Sequence, residues 1–214
     1  MGKRKLQQWA ELLTFPHVFQ YPENMQGTWN TNVFKNNNPI VLELACGKGE
    51  YTVNLAKSYP QKNFIGVDIK GHRIWTGAKQ ALENDLKNTA FLRTEIEKID
   101  QYFDTNEIDE IWITFPDPQV RDGKAKKRLT HPRFLNLYKN ILKKGGTIHL
   151  KTDNTLLYEF TKEVIEELCL PVIRQSADLY TAPFLDEHLS IKTTYEKIFT
   201  EKGEKIKYIQ FVLH

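Results

Sequence analysis

The chain has 214 residues, 40% of them apolar and 27% charged, with 30 Lys and Arg against 27 Asp and Glu. That is the make-up of one globular domain with appendages, and it excludes a collagen-like or disordered chain. No apolar run approaches the ~18 residues of a membrane span, and Met1–Lys5 leads into Gln7, Gln8 and Glu11 rather than an apolar signal core, so a cytoplasmic protein is expected.

An amphipathic opening (Leu6, Trp9, Leu12, Leu13) and an Asn-rich loop over 30–38 precede the first strong signal. Ile40–Leu44 is predicted as a strand, Glu50–Ser58 as a helix, Phe64–Val67 as a strand and His72–Leu86 as a helix. Ala90–Arg93 follows as a strand, Ile96–Phe103 as a short helical turn, Ile108–Phe115 as a strand, Pro132–Leu142 as a helix opened by His131, and Thr147–Lys151 as a strand. Alternation of this kind predicts a doubly wound, mostly parallel α/β sheet with helices on both faces. Tyr195–Phe199 and Lys207–Leu213 flank a turn at 201–204 and are predicted as a C-terminal antiparallel hairpin.

In such a sheet a ligand sits outside the carboxyl ends of the strands. Four successive ends offer acids there. Glu43 precedes a turn in which Gly47 and Gly49 let backbone approach a ligand; the third glycine of a dinucleotide fingerprint is absent, Thr52 standing in its place, and Glu50 would repel a pyrophosphate. Asp68, 21 residues after Gly47, sits where ribose hydroxyls require a carboxylate. Glu95 follows the next strand, where it either accepts from an adenine amino group or serves as a helix N-terminal acid. Asp117 is held between Pro116 and Pro118, whose fixed φ angles stiffen the turn.

Charge is uneven. Residues 121–151 carry ten cations (Arg121, Lys124, Lys126, Lys127, Arg128, Arg133, Lys139, Lys143, Lys144, Lys151) and Asp122 alone, a balance of +9 that leaves −6 for the rest of a chain of net charge +3. A patch of that sign suits a phosphate backbone, and a solvated helix face is the bland alternative. Cys46 and Cys169 have no metal-like spacing and the six histidines form no ligand pair, so no metal is expected. Cys46, Trp75 and Trp112 read as packing residues.

The glycine turn, Asp68 and the Pro116-Asp117-Pro118 loop resemble class I S-adenosylmethionine-dependent methyltransferases, which are Rossmann-like. Lys124, Lys126-Lys127-Arg128-Leu129, Lys151-Thr152-Asp153-Asn154 and Thr193-Thr194-Tyr195-Glu196 narrow the resemblance to the tRNA (guanine-46-N7)-methyltransferase family, from about Asn37 to the C-terminus. The resemblance implies a division into an extension, 1–36, and a catalytic domain, 37–214. It implies S-adenosylmethionine held by Glu43, Gly47, Gly49, Asp68, Glu95 and Asp117, with Asp117 also catalytic. It implies tRNA held by Arg121, Lys124, Lys126, Lys127, Arg128, Asp153, Thr193, Thr194, Tyr195 and Glu196, with Asp153 and Glu196 accepting from guanine N1 and N2. Ala45 and Gln119 stand where the family commonly has Gly and Trp, and Arg121 where Lys is frequent. Two rivals stay open at this stage: a methyltransferase for an exocyclic base amine, and a non-catalytic RNA-binding protein on the same scaffold. Monomer and homodimer are equally compatible with the sequence, and no membrane partner is expected.

Overall fold

The computed structural model describes residues 3–213. It begins with α1 (Lys3–Leu12), a short strand β1 (Val18–Gln20) and one π-helical turn, Trp29–Phe34. Then come β2 (Ile40–Leu44), α2 (Glu50–Ser58), β3 (Asn63–Asp68), α3 (Gly71–Glu83), β4 (Thr89–Arg93), a 3-10 turn at Ile96–Gln101 and β5 (Ile108–Thr114). A second 3-10 turn, Asp122–Lys127, leads to α4 (Pro132–Ile141), β6 (Leu142–Thr152), α5 (Thr155–Glu167) and β7 (Val172–Ser176). The chain closes with α6 (Glu187–Ser190), α7 (Thr194–Glu201) and β8 (Lys207–Val212).

These strands form one eight-stranded sheet in the order β1-β4-β3-β2-β5-β6-β8-β7. From β1 to β6 every pairing is parallel, and β8 runs antiparallel to both β6 and β7. The order reverses at β2, which lies between β3 and β5, so the crevice of a doubly wound sheet opens at the end of β2.

Strand side chains alternate between faces, and the two cores follow that alternation. Ile40, Leu42 and Leu44 of β2 pack with Phe134 and Tyr138 of α4 and Leu157 and Val164 of α5. Val41 of the same strand turns the other way, to Tyr51 and Leu55 of α2. Glu43 shares that second face, which is why a helix residue of α2 becomes its partner.

The expected division at 36 runs through packed structure rather than a gap. Trp29 and Phe34 belong to the principal core, and the Trp29 indole N–H donates to Tyr102 O at 2.8 Å. Apolar burial thus turns part of the Asn-rich stretch from the expected loop into a helical turn. At the end of β4 the Arg93 guanidinium lies 4.2 Å from the centroid of the Trp9 ring and donates to Ile69 O, tying α1 to the sheet end. Residues 1, 2 and 214 of the expected divisions lie outside the described residues.

The C-terminal antiparallel pair exists, but its first arm is Val172–Ser176 and not Tyr195–Phe199. Tyr195–Phe199 is inside α7. Thr193 Oγ1 accepts from Glu196 N–H at 3.2 Å, the N-terminal half of a capping box, and Tyr195, Ile198 and Phe199 have helical spacing. α5, capped by Asn154, was not anticipated.

Lys151, counted above with the surface cations, is interior: its ammonium is 0% exposed and donates to Leu189 O (2.7 Å) and Ile191 O (2.9 Å), with Glu196 Oε1 at 2.9 Å. Burial holds its pKa below that of an ordinary lysine, against the pull of the Glu196 charge. Removing one member of a buried pair strands the other, a cost of about 3–5 kcal/mol, whereas removing both together is far milder. Lys151→Met should therefore lower unfolding free energy in urea by that amount, and adding Glu196→Gln should restore part of it. Equal stability of Lys151→Met and the wild type would show that the pair does not hold α6 and α7 in place.

Candidate active site

The crevice at the end of β2 is a cavity of about 430 Å³. Its floor is Glu43, 3% exposed, whose carboxylate accepts from Thr52 N–H (2.9 Å), Thr52 Oγ1 (2.5 Å) and Thr114 Oγ1 (2.5 Å). Burial pushes this carboxyl up to about 7, against the lowering effect of those hydrogen bonds, and the nearby Asp68 charge adds to the rise. A cation in the cavity would favour the ionised form.

The glycine turn is shaped by left-handed residues. Ala45 has φ +56, a left-handed course that a glycine would take without strain. Gly47 has φ +56, and a Cβ placed on it would have nothing nearer than Ala45 O at 4.0 Å, so its face is open to a ligand. Gly49 does not serve the expected purpose: a Cβ there would lie 2.5 Å from the Phe91 ring and 3.4 Å from Gly77 Cα, so its bareness packs the turn against the core. Asp68 ties the turn to β3, its Oδ2 accepting from Gly47 N–H (2.9 Å) and its Oδ1 from Lys70 N–H (2.7 Å). Each oxygen keeps a lone pair for hydroxyl donors.

Asp68 and Glu95 line a second, smaller hollow that meets the first at Ala45, together with Thr94, Ile96, Gln119 and Lys127. Glu95 is also paired with Lys98 Nζ at 2.6 Å, so it holds a surface ion pair at the hollow's edge. Asp117 is exposed on the rim of the main cavity, in a loop whose flanks, Phe115 (φ +47) and Gln119 (φ +48), are both left-handed. Its Oδ1 accepts from Gln119 N–H at 3.0 Å, which fixes the carboxylate.

Opposite the glycine turn the wall is made by Asp153, Thr193, Tyr195 and Phe199. The Phe199 ring stacks on Phe115 with centroids 6.1 Å apart, giving an aromatic surface that sequence reading did not find. Burial raises the Asp153 carboxyl above the usual carboxylate range. Thr194 is engaged elsewhere: its N–H and hydroxyl both donate to the Glu50 carboxylate, at 2.6 and 2.5 Å. Glu50 thus latches α2 to α7. Glu196 is 0% exposed, bound by Lys151 and by the Tyr180 hydroxyl at 2.5 Å, and does not line the cavity as expected of a guanine acceptor. The same motif that resembles a substrate contact is here a support for the wall.

The basic segment also divides. Arg121, Lys124, Lys126 and Lys127 are exposed, as expected of phosphate contacts. Arg128 is 5% exposed and directed inward, to Pro118 O and Gln119 O, so it is not a surface cation. Lys143 and Arg133 pair with Asp109 and Glu97. Sequence reading missed a second set of cations, Lys48, Lys70 and Arg73, on the glycine-turn side of the cavity. They are scattered in sequence and meet only because α2 and α3 begin at adjacent strand ends.

The sequence matches the methyltransferase family model Methyltransf_4 over residues 37–209. It is 50% identical over 221 aligned residues to the tRNA (guanine-N(7)-)-methyltransferase of Bacteroides fragilis, covering 100% of this chain and 87% of that protein. The protein of the same name from Porphyromonas gingivalis is 53% identical over 211 residues, covering 94% and 86%. Among solved structures, the 16S rRNA methyltransferase KamB aligns with TM-score 0.66 at 12% identity, over 92% of this chain and 98% of that one, a likeness of fold alone.

The raised Glu43 carboxyl gives a signed expectation. Below about pH 7 it is protonated, and above it is an anion under the cavity. Affinity for the sulfonium of S-adenosylmethionine should therefore strengthen about tenfold from pH 6 to pH 8 relative to Glu43→Gln, measured by calorimetry. Parallel pH curves for the two proteins would remove the Glu43 charge from the site.

Proposed function

We infer that this chain, which belongs to the tRNA (guanine-N(7)-)-methyltransferase family, transfers a methyl group from S-adenosylmethionine to N7 of a guanine in tRNA. Guanine 46 of the variable loop is the position proposed, on the resemblance of the sequence motifs. What supports the site assignment most directly is that one cavity is lined by Glu43 and Gly47 on one side and by Asp117, Asp153 and Tyr195 on the other.

The donor set suits the cofactor: a buried anionic floor under a cation, carboxylate lone pairs at Asp68 for ribose hydroxyls, and an open face at Gly47. When bound, S-adenosylmethionine supplies an electrophilic methyl group on sulfur. Guanine N7 carries a lone pair and no proton, so the protein has to orient and stabilise rather than accept a proton. Phe115, Tyr195 and Phe199 offer aromatic faces for the base, and Asp153 an acceptor for its N1–H and N2–H edge. Asp117 places a negative charge where the base becomes cationic. Glu95, at the edge of the adjoining hollow, is the proposed acceptor for the adenine amino group. Arg121, Lys124, Lys126 and Lys127 hold backbone phosphates.

An exocyclic amine would lose a proton and call for a base near the amine; the absence of that demand at N7 is what makes Asp117 serviceable with no general-base role. Incubation of unmodified tRNA with labelled cofactor, followed by borohydride and aniline, tests the reading, since the chain breaks at 7-methylguanosine. Label incorporation without scission would favour the amine reaction, and no incorporation would favour the binding protein.

Asp117→Ala should lower single-turnover methylation by orders of magnitude with little change in tRNA retention on a filter; near-normal turnover would sink the catalytic role. Replacing Lys124, Lys126 and Lys127 by Ala should weaken tRNA binding and flatten the slope of log K against log salt by roughly 2–3 units, about 0.7–0.9 per phosphate. An unaltered slope would put the docking surface elsewhere.

A further inference from the structure

Arg128 is a buried cation with no carboxylate beside it among the described residues. Its Nε donates to Pro118 O and its Nη2 to Gln119 O, both at 3.3 Å, and the guanidinium carbon lies 4.5 Å from the centroid of the Phe160 ring on α5. Two successive carbonyls and an aromatic face take the place of an anion. Burying a guanidinium in this way is costly unless its donors find partners, and the two that do so here are both bound by the loop that carries Asp117.

The connection to Asp117 is one residue long. Gln119 is gripped at both ends: its N–H is bound to Asp117 Oδ1 at 3.0 Å, and its C=O is bound by Arg128. Gln119 and Phe115 both hold left-handed φ angles that a non-glycine residue does not keep without support. On its other side, Arg128 N–H donates to Ala125 O at 3.0 Å and closes the 3-10 turn bearing Lys124, Lys126 and Lys127. The next residue, Leu129, is anchored in the core.

We propose that Arg128 is a positioning residue for methyl transfer, clamping the Pro118 and Gln119 carbonyls so that the Asp117 carboxylate is fixed and joined to the lysine turn. A planar fork binds the two carbonyls with fixed spacing while lying against Phe160; an ammonium on a flexible stem can reach them but does not hold that plane. The proposal rests on the methyl-transfer reading, which the wild-type chain tests by itself through aniline scission, so failure of one is distinguishable from failure of the other.

The experiment compares Arg128→Ala, Arg128→Lys and Phe160→Leu with the wild type, reading tRNA affinity across salt, cofactor affinity and single-turnover rate with both substrates saturating, and checking folding by thermal unfolding. Arg128→Ala should lower the rate ten- to a hundredfold with the salt slope unchanged, and Arg128→Lys should restore only part of it. Phe160→Leu, which removes the ring without touching the loop, should lower the rate severalfold, and combined with Arg128→Ala should add nothing further. Should Arg128→Ala fail to fold, Arg128→Lys and Phe160→Leu decide the matter alone. A salt slope reduced by about 0.7–0.9 in a folded Arg128 variant would make it a phosphate ligand, and a wild-type rate in that variant, or in Phe160→Leu where Arg128→Ala does not fold, would likewise overturn the clamp.

Discussion

The wall of the cavity depends on a lysine ammonium taken out of water. Lys151 leaves β6 in the same face as Trp112 and Tyr208 and is met by the carbonyls of Leu189 and Ile191 and by the Glu196 carboxylate. Those three acceptors come from α6, the segment after it, and α7, so one side chain ties residues 189–196 of the crossover between β7 and β8 to the sheet. Glu50 secures the same crossover from α2 through Thr194. Thr193, Tyr195 and Phe199 lie outside the strands, and these attachments help hold them at the cavity.

Electrostatics runs in opposite senses at two depths. Carboxylates occupy the strand ends and the cavity floor, where burial magnifies their effect on a cation. Lysines and arginines occupy the rim on both sides, the 3-10 turn at 122–127 and the group Lys48, Lys70 and Arg73. The cleft thus carries a negative floor beneath a positive rim, the arrangement that would suit a cationic nucleoside below and a polyanion above.

The sequence made the parallel half of the fold readable because its strands are short apolar runs set off by glycine, proline and polar turns. β2, α2 and α4 fall within a residue of their expected limits. The acids at strand ends were also readable, since topology alone places them. Burial of charge was not. Arg128 and Lys151 count as cations in any sum, and only the fold shows that one points under a loop and the other into the core. Signals existed: Arg128 sits beside the apolar Leu129, and Lys151 ends the run Ile148-His149-Leu150. The segment 193–196 carried two meanings at once, a capping box and a family motif, and the hairpin expectation followed from weighing neither as the start of a helix. Gly49 resembled a ligand-facing glycine because composition does not say which side of a turn is crowded.

The placement of β8 between β6 and β7 bears on the order in which the molecule is made. Strand 172–176 leaves the ribosome with no neighbour to pair with, since among the described residues its only partner in the sheet is 207–212. The intervening crossover, with α6 and α7, can meet Lys151 of β6 and Glu50 of α2 as soon as it is made, before that partner inserts. By then β1 to β6 can already be folded, with Glu43 and the glycine turn in place. The glycine-turn side of the crevice is therefore able to assemble during synthesis, before the wall at 193–199 has been made.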